Sequence, residues 1–209
     1  MKPVKLLKPT AIKMKRKHIL GILVFILTIS CKAQTIIPLE NEYLYYNTEN
    51  GVPPNSYLKD INHLLDKFVG TWKGTYNGRR FELRIIKNTK TTTNDNITFD
   101  RLLIRYIIID TNGTILENST SFTNNDSPYI MRGMRFNQKG TQYCLSYVGK
   151  EVNCAQSGDV NISIGKADNN KMVLTLFPDK ILVTEKDCPE FVMANHILPV
   201  EDTMFLYRQ

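Results

Sequence analysis

From residue 72 to residue 207 apolar and polar side chains alternate in short runs broken by turn residues. This is the period-2 pattern of strands buried on one face. The clearest case is Phe81-Glu82-Leu83-Arg84-Ile85, joined to the run 72–76 through Asn77-Gly78, a pair that favours a two-residue hairpin turn. Residues 99–109 are apolar on both faces around 104–109, as expected of a central strand, and Asn112-Gly113 turns them into 114–121. Further strands are predicted over 129–136, 142–148, 160–164, 172–177, 181–185 and 204–207, with Gly140, Gly149, Asn169-Asn170 and Pro178-Asp179 as turns. About ten strands with short links predict an all-β fold: an antiparallel meander closed as a barrel, or alternatively a β-sandwich.

One stretch carries a different period. Leu58, Ile61, Leu64, Leu65 and Phe68 recur at steps of three and four behind a capping Ser56, which predicts one short helix over 56–68, ended by Gly70. Residues 31–55 are polar and Asn-rich, with Tyr43, Tyr45 and Tyr46 clustered and Pro53-Pro54 as breakers; they predict a tether ahead of a domain spanning 56–209.

The chain is formally +7, but position changes the meaning of that charge. Seven basic residues and no acid precede Cys31, and they account for the whole excess of 27 Lys and Arg over 20 Asp and Glu. The remaining body is formally neutral and offers no electrostatic footprint for nucleic acid. Met14-Lys15-Arg16-Lys17-His18 reads as a positive n-region and the apolar run 19–29 as a signal-peptide core, too short for the roughly 20 residues of a membrane span. Met14 is therefore the expected initiator, and residues 1–30 the signal peptide.

Leu27-Thr28-Ile29-Ser30-Cys31 resembles the lipobox of bacterial lipoproteins, with Thr28 standing where that family usually has Leu. The resemblance implies lipidation (palmitate included) at Cys31 and cleavage before it. With Lys32 next, it implies transfer to the outer membrane. Phe68-Val69-Gly70-Thr71-Trp72-Lys73-Gly74 resembles the N-terminal Gly-x-Trp signature of lipocalins and related calycin barrels. That likeness implies a Trp72 that closes the barrel floor against a basic side chain of the last strand, for which Arg208 is placed. Taken whole, the chain resembles uncharacterised small bacterial lipoproteins of a domain-of-unknown-function family, a likeness that carries no activity.

Reactive constellations are sparse. His63 and His196 lie far apart, without His-x-x-x-His or Cys-x-x-Cys spacing, so no metal or cofactor is expected. Asp110-Thr111-Asn112-Gly113 lacks the later Glu of a calcium loop and reads as a turn. Arg79, Arg80, Arg84, Arg101, Arg105, Arg132 and Arg135 fall at alternating strand positions, which reads as a solvated sheet face. In an oxidising compartment Cys144, Cys154 and Cys188 allow one disulfide and one free thiol. A three-residue loop at 148–150 would set Cys144 opposite Cys154 and make them the pair; a two-residue loop would set Cys154 opposite Leu145.

The function expected from these features is a lipid-anchored envelope protein that binds a small apolar ligand or an envelope partner without catalysis. The alternatives are an interaction or inhibitor module working through the loops 88–96 and 120–127, and an unrecognised hydrolase. A cavity inside the barrel would favour the first, a filled interior with protruding loops the second, and a cleft with converging carboxylates the third.

Overall fold

The computed structural model describes residues 34–46, 48–180, 183–186, 188 and 196–209. Eleven strands run in chain order: β1 (Thr35–Pro38), β2 (Ser56–Lys59), β3 (Gly70–Tyr76), β4 (Arg79–Thr91), β5 (Thr98–Ile109), β6 (Ile115–Asn118), β7 (Met131–Phe136), β8 (Gln142–Val148), β9 (Ser157–Ile164), β10 (Lys171–Pro178) and β11 (Met204–Arg208). Eight of them, β5-β4-β3-β11-β10-β9-β8-β7, form an antiparallel barrel that closes where β7 returns to β5. Because β3 pairs with β11 and β5 with β7, one sheet wraps on itself, and the sandwich alternative is excluded. The fold is a calycin-like barrel with three extra strands on the free edge of β5.

The pleat explains the core. Alternate residues point inward, and Leu102, Ile104, Leu145, Val160, Leu174 and Leu206 are all 0 % exposed, so no water-sized void reaches them. Gly133 on β7 belongs to the same packing, since a β-carbon there would lie 2.3 Å from the Tyr143 hydroxyl. The Asn77-Gly78 hairpin forms as expected: Tyr76 opposes Arg79, and both turn residues hold positive φ (48° and 75°).

One end of the barrel is plugged. Trp72 is 0 % exposed, donates its indole N–H to the Phe68 carbonyl at 2.8 Å, and lies beneath the Arg208 guanidinium at 4.4 Å. Arg208 also donates to the carbonyls of Val69 (2.6 Å) and Lys67. The cation–π contact contributes roughly 0.5–2 kcal/mol, while the two carbonyl bonds tie the last strand to the chain entering the first. Gly70 makes this possible: its φ is +131°, and a β-carbon would sit 3.0 Å from the Arg208 guanidinium.

Two expectations on the approach to Trp72 are corrected. Residues 56–68 do not form an α-helix; Ser56–Lys59 is strand β2, held in parallel between β1 and β5, and Asp66–Phe68 is a single 3-10 turn. The apolar stripe is genuine but serves two elements, with Leu58 buried from the strand, Leu65 and Phe68 from the turn, and Ile61 44 % exposed between them. The Asp60 carboxylate, only 4 % exposed, accepts from the amides of Leu64 (2.7 Å) and Leu65 (3.2 Å), which fixes the turn and stops a helix. Nor are residues 35–45 a tether, because β1 pairs with β2 and the 3-10 segment Leu39–Tyr45 packs onto the barrel through Leu39, 1 % exposed.

The disulfide expectation is also corrected. Cys154 bonds Cys188 (Cα–Cα 5.2 Å), and Cys144 is a buried free thiol. In the β8–β9 ladder Val148 opposes Ser157 and Cys144 opposes Asn161, so residues 149–156 form an eight-residue connection rather than a three-residue loop. That connection has its own structure, a 3-10 turn at Val152–Cys154 ended by Ala155 at φ 68°, and it carries Cys154 away from the ladder. Burial, reinforced by the charge of Asp159, pushes the Cys144 thiol up to about 11. Of the predicted strand 181–185, residues 183–185 are irregular and the first two lie outside the described residues.

Two outcomes follow from this architecture. Trp72→Ala should cost about 3–5 kcal/mol in denaturant unfolding, and the wild-type indole emission should be blue-shifted and poorly quenched. Peptide mapping without reduction should yield a Cys154–Cys188 peptide, with Cys144 alkylated only after denaturation; closing a loop of 34 residues contributes about 3–4 kcal/mol that reduction would remove.

Candidate functional site

β5 has more neighbours than one edge can accommodate in a regular ladder. Its free edge pairs with β2 at Thr98 and Phe99, with β7 at Leu103 and Ile104, and with β6 from Ile107 to Ile109. Between β6 and β7 the chain leaves the sheet at this seam as the loop 119–130, with Ser119 at its start bonding the Tyr106 amide (2.7 Å) and carbonyl (2.8 Å). Glu117 on β6 faces the same tyrosine's side chain. Only 7 % exposed, its carboxylate accepts from the Tyr106 hydroxyl at 3.0 Å and the Tyr147 hydroxyl at 3.2 Å, with the Lys150 amide more distant at 3.4 Å. Burial and the Glu117 charge together push both tyrosine hydroxyls far above their ordinary range, so they act as donors at any physiological pH.

An open cleft of about 330 Å³ lies over this carboxylate. Its outer wall is the stacked pair Phe122 and Tyr129, with ring centres 5.6 Å apart and planes at 22°. The wall is held from the barrel: Arg105 donates to the Phe122 carbonyl at 2.9 Å and to the Asn125 side chain at 2.7 Å, and Arg132 donates to the Ser127 carbonyl at 2.9 Å. The cleft lies toward the end of the barrel away from Trp72, because β8 runs from Tyr143, packed on Phe68, four residues on to Tyr147. Two larger clefts, of about 440 and 430 Å³, lie on outer strand faces, where Lys73 pairs with Glu82 and Lys90 with Asp126.

The residues singled out by sequence separate into groups. Gly70, Trp72 and Arg208 converge at the plug; Cys144 and Cys154 do not meet; Cys31 lies outside the described residues. His63 is exposed beside Asp66 (3.0 Å), while half-buried His196 precedes the Pro199 contact with β10 near the opposite end. Asp110 accepts from the amides of Asn112 and Thr114, as a turn requires. The arginines are only partly a solvated face: Arg80 and Arg84 are exposed, but Arg105 and Arg132 clamp the cleft wall, and Arg101 and Arg135 lie over the rings of Phe99 and Tyr46. Glu117 escaped the sequence reading because its two tyrosine donors come from strands 11 and 30 residues away. Among the described residues no three His, Cys, Asp or Glu side chains group as a metal site, and no helix is long and apolar enough to cross a membrane.

Barrel, plug and seam cleft define a calycin-like barrel of closed-lumen type. The chain belongs to a family of unknown function, DUF6705, whose model matches residues 14–186. The matched stretch takes in Trp72 and Glu117 and ends before Cys188 and Arg208. Neither a curated protein nor a solved structure matches the chain.

A half-buried acid, Glu42, lies on the 3-10 segment Leu39–Tyr45. Burial pushes the Glu42 carboxyl up to about 7 against the opposing pull of Arg101 and Arg135, and its Oε2 has no hydrogen-bond partner among the described residues. A carboxyl raised on folding favours the native state below its unfolded value near 4.5 and loses that contribution as pH climbs through 7. Glu42→Gln should therefore stabilise the protein by about 1–3 kcal/mol at pH 8 and leave it unchanged at pH 4. Thermal melts of both proteins across that range check the sign.

Proposed function

We propose that this protein is a lipid-anchored component of the cell envelope, non-enzymatic, binding a small largely apolar ligand or an envelope partner at the seam cleft and not in the lumen. The observation that carries this reading is the pairing of a lumen filled by fully buried side chains with a separate aromatic cleft opening to solvent. The lipid anchor is supported by the order of charged segment, apolar run and Cys31, and Lys32 favours the outer membrane. Thr35 starts the first strand four residues after Cys31, a reach of about 14 Å at most, so an acyl chain would hold the barrel close to the bilayer. The Gly-x-Trp likeness to lipocalins is supported by the stacking of Arg208 on Trp72.

The interaction-module alternative meets both parts of its criterion, a filled interior and a protruding loop, 119–130, where Tyr129 is 37 % exposed. A hydrolase gains less, because the cleft holds a single carboxylate whose oxygens already take two tyrosine hydrogen bonds.

Labelling cells with an alkyne fatty acid should tag the wild type and leave Cys31→Ser untagged; equal labelling would remove the anchor. Extraction and mass spectrometry of protein purified from its native envelope should recover a bound small molecule that Phe122→Ala releases. Recovery undiminished in Phe122→Ala would move the site away from the seam.

A further inference from the structure

Resting on the seam cleft as the binding site, we infer that its ligand is a compact primary amine whose ammonium meets Glu117 while its apolar body lies against Phe122, Tyr129 and Leu116. Three observations converge. The Glu117 carboxylate is 93 % buried by its 7 % exposure, yet no lysine, arginine or histidine pairs with it among the described residues. Its donors are two neutral hydroxyls and one amide at 3.4 Å, which orient the carboxylate without neutralising it. A carboxylate has about four acceptor sites, more than the three donors that reach Glu117, and Glu117 lines the cleft. An ionised acid withdrawn from water without a counter-charge is costly, and a charge-assisted N–H bond is the contact that offsets this. The aromatic wall adds faces that attract cations and reject anions.

Lys150, an exposed side chain, lines the same cleft. On this proposal its ammonium would compete with the ligand for Glu117, and this distinguishes a ligand site from a merely structural acid. Removing Lys150 should open the site to an external amine, whereas a seam acid satisfied by its tyrosines would not respond.

The test uses the full mature protein in detergent, titrated by ligand-detected NMR with 2-phenylethylammonium, its neutral analogue 2-phenylethanol, and the anion 3-phenylpropanoate. The amine should bind at least tenfold more tightly than the alcohol, and Glu117→Gln should bring that ratio close to one. Lys150→Gln should tighten the amine several-fold without affecting the alcohol. Equal binding of amine and alcohol to the wild type would overturn the amine inference while leaving the cleft as a binding site. Preference for the anion would assign recognition to Lys150 and overturn it as well. Failure of all three probes would overturn both this inference and the seam site. If Glu117→Gln does not fold, as judged by its melt and its Cys154–Cys188 bond, Lys150→Gln decides: no gain for the amine defeats the proposal.

Discussion

The structure depends on the way β5 is shared. One edge of this strand pairs with β4 from Thr98 to Ile109 without interruption, but the other is divided among β2, β7 and β6. Only Leu103 and Ile104 carry the ladder that closes the barrel. Eight strands suffice to bury an interior filled with side chains, yet a closure two residues long leaves backbone groups above and below it to be covered by other means. β2 and β6 cover them, Ser119 bonds the Tyr106 backbone between β6 and β7, and a buried acid lies at each end of the seam. At the lower end Asp100 accepts from Tyr57 at 2.9 Å, Thr89 at 2.6 Å and the Asp60 amide at 3.0 Å; at the upper end Glu117 accepts from Tyr106 and Tyr147.

The plug and the filled lumen follow from the same economy of space. Once Trp72 occupies the floor and Arg208 ties Val69 and Lys67 to the last strand, the interior above is filled by buried side chains, Tyr106 and Tyr147 among them. Tyrosines inside a barrel need partners for their hydroxyls. Two of them reach outward through the seam to Glu117, which gives the core a polar exit. The cleft is thus a by-product of closure: the loop 119–130 has to leave the sheet for β7 to reach β5, and Arg105 and Arg132 hold that loop against the barrel.

What could be read in the sequence were features generated locally. Asn77-Gly78 and the alternation of residues 81–85 act over a few residues or through parity alone, and both stand in the fold; the approach of Arg208 to Trp72 is long-range and was suggested by resemblance. The helix over 56–68 failed because its apolar spacing also suits a strand followed by a turn. The choice was made by an edge of β5 and by the Asp60 carboxylate, neither visible as periodicity. The disulfide failed for a related reason: register counts assume a short hairpin, whereas residues 149–156 fold into a connection of their own. Glu117 was illegible since its chemistry arises only when β5, β6 and β8 meet.

The two seam acids are not equivalent, and their difference separates scaffold from site. Burial opposes ionisation of Asp100, but the bonds from Thr89, the Asp60 amide and Tyr57 outweigh it and hold the carboxyl below its usual range, with Lys87 nearby adding positive charge. Lys87 itself bonds Asp60 at 3.2 Å and Asp66 at 2.5 Å, so the lower end is a closed network of acids, donors and a cation. At the upper end the donors are hydroxyls alone, apart from one long amide contact, and the exposed Lys150 lines the cleft without an ion pair to Glu117 among the described residues. A buried acid held by acids, donors and a cation together belongs to the scaffold, whereas an acid oriented by hydroxyls beneath an aromatic wall is the feature on which the proposed amine site rests.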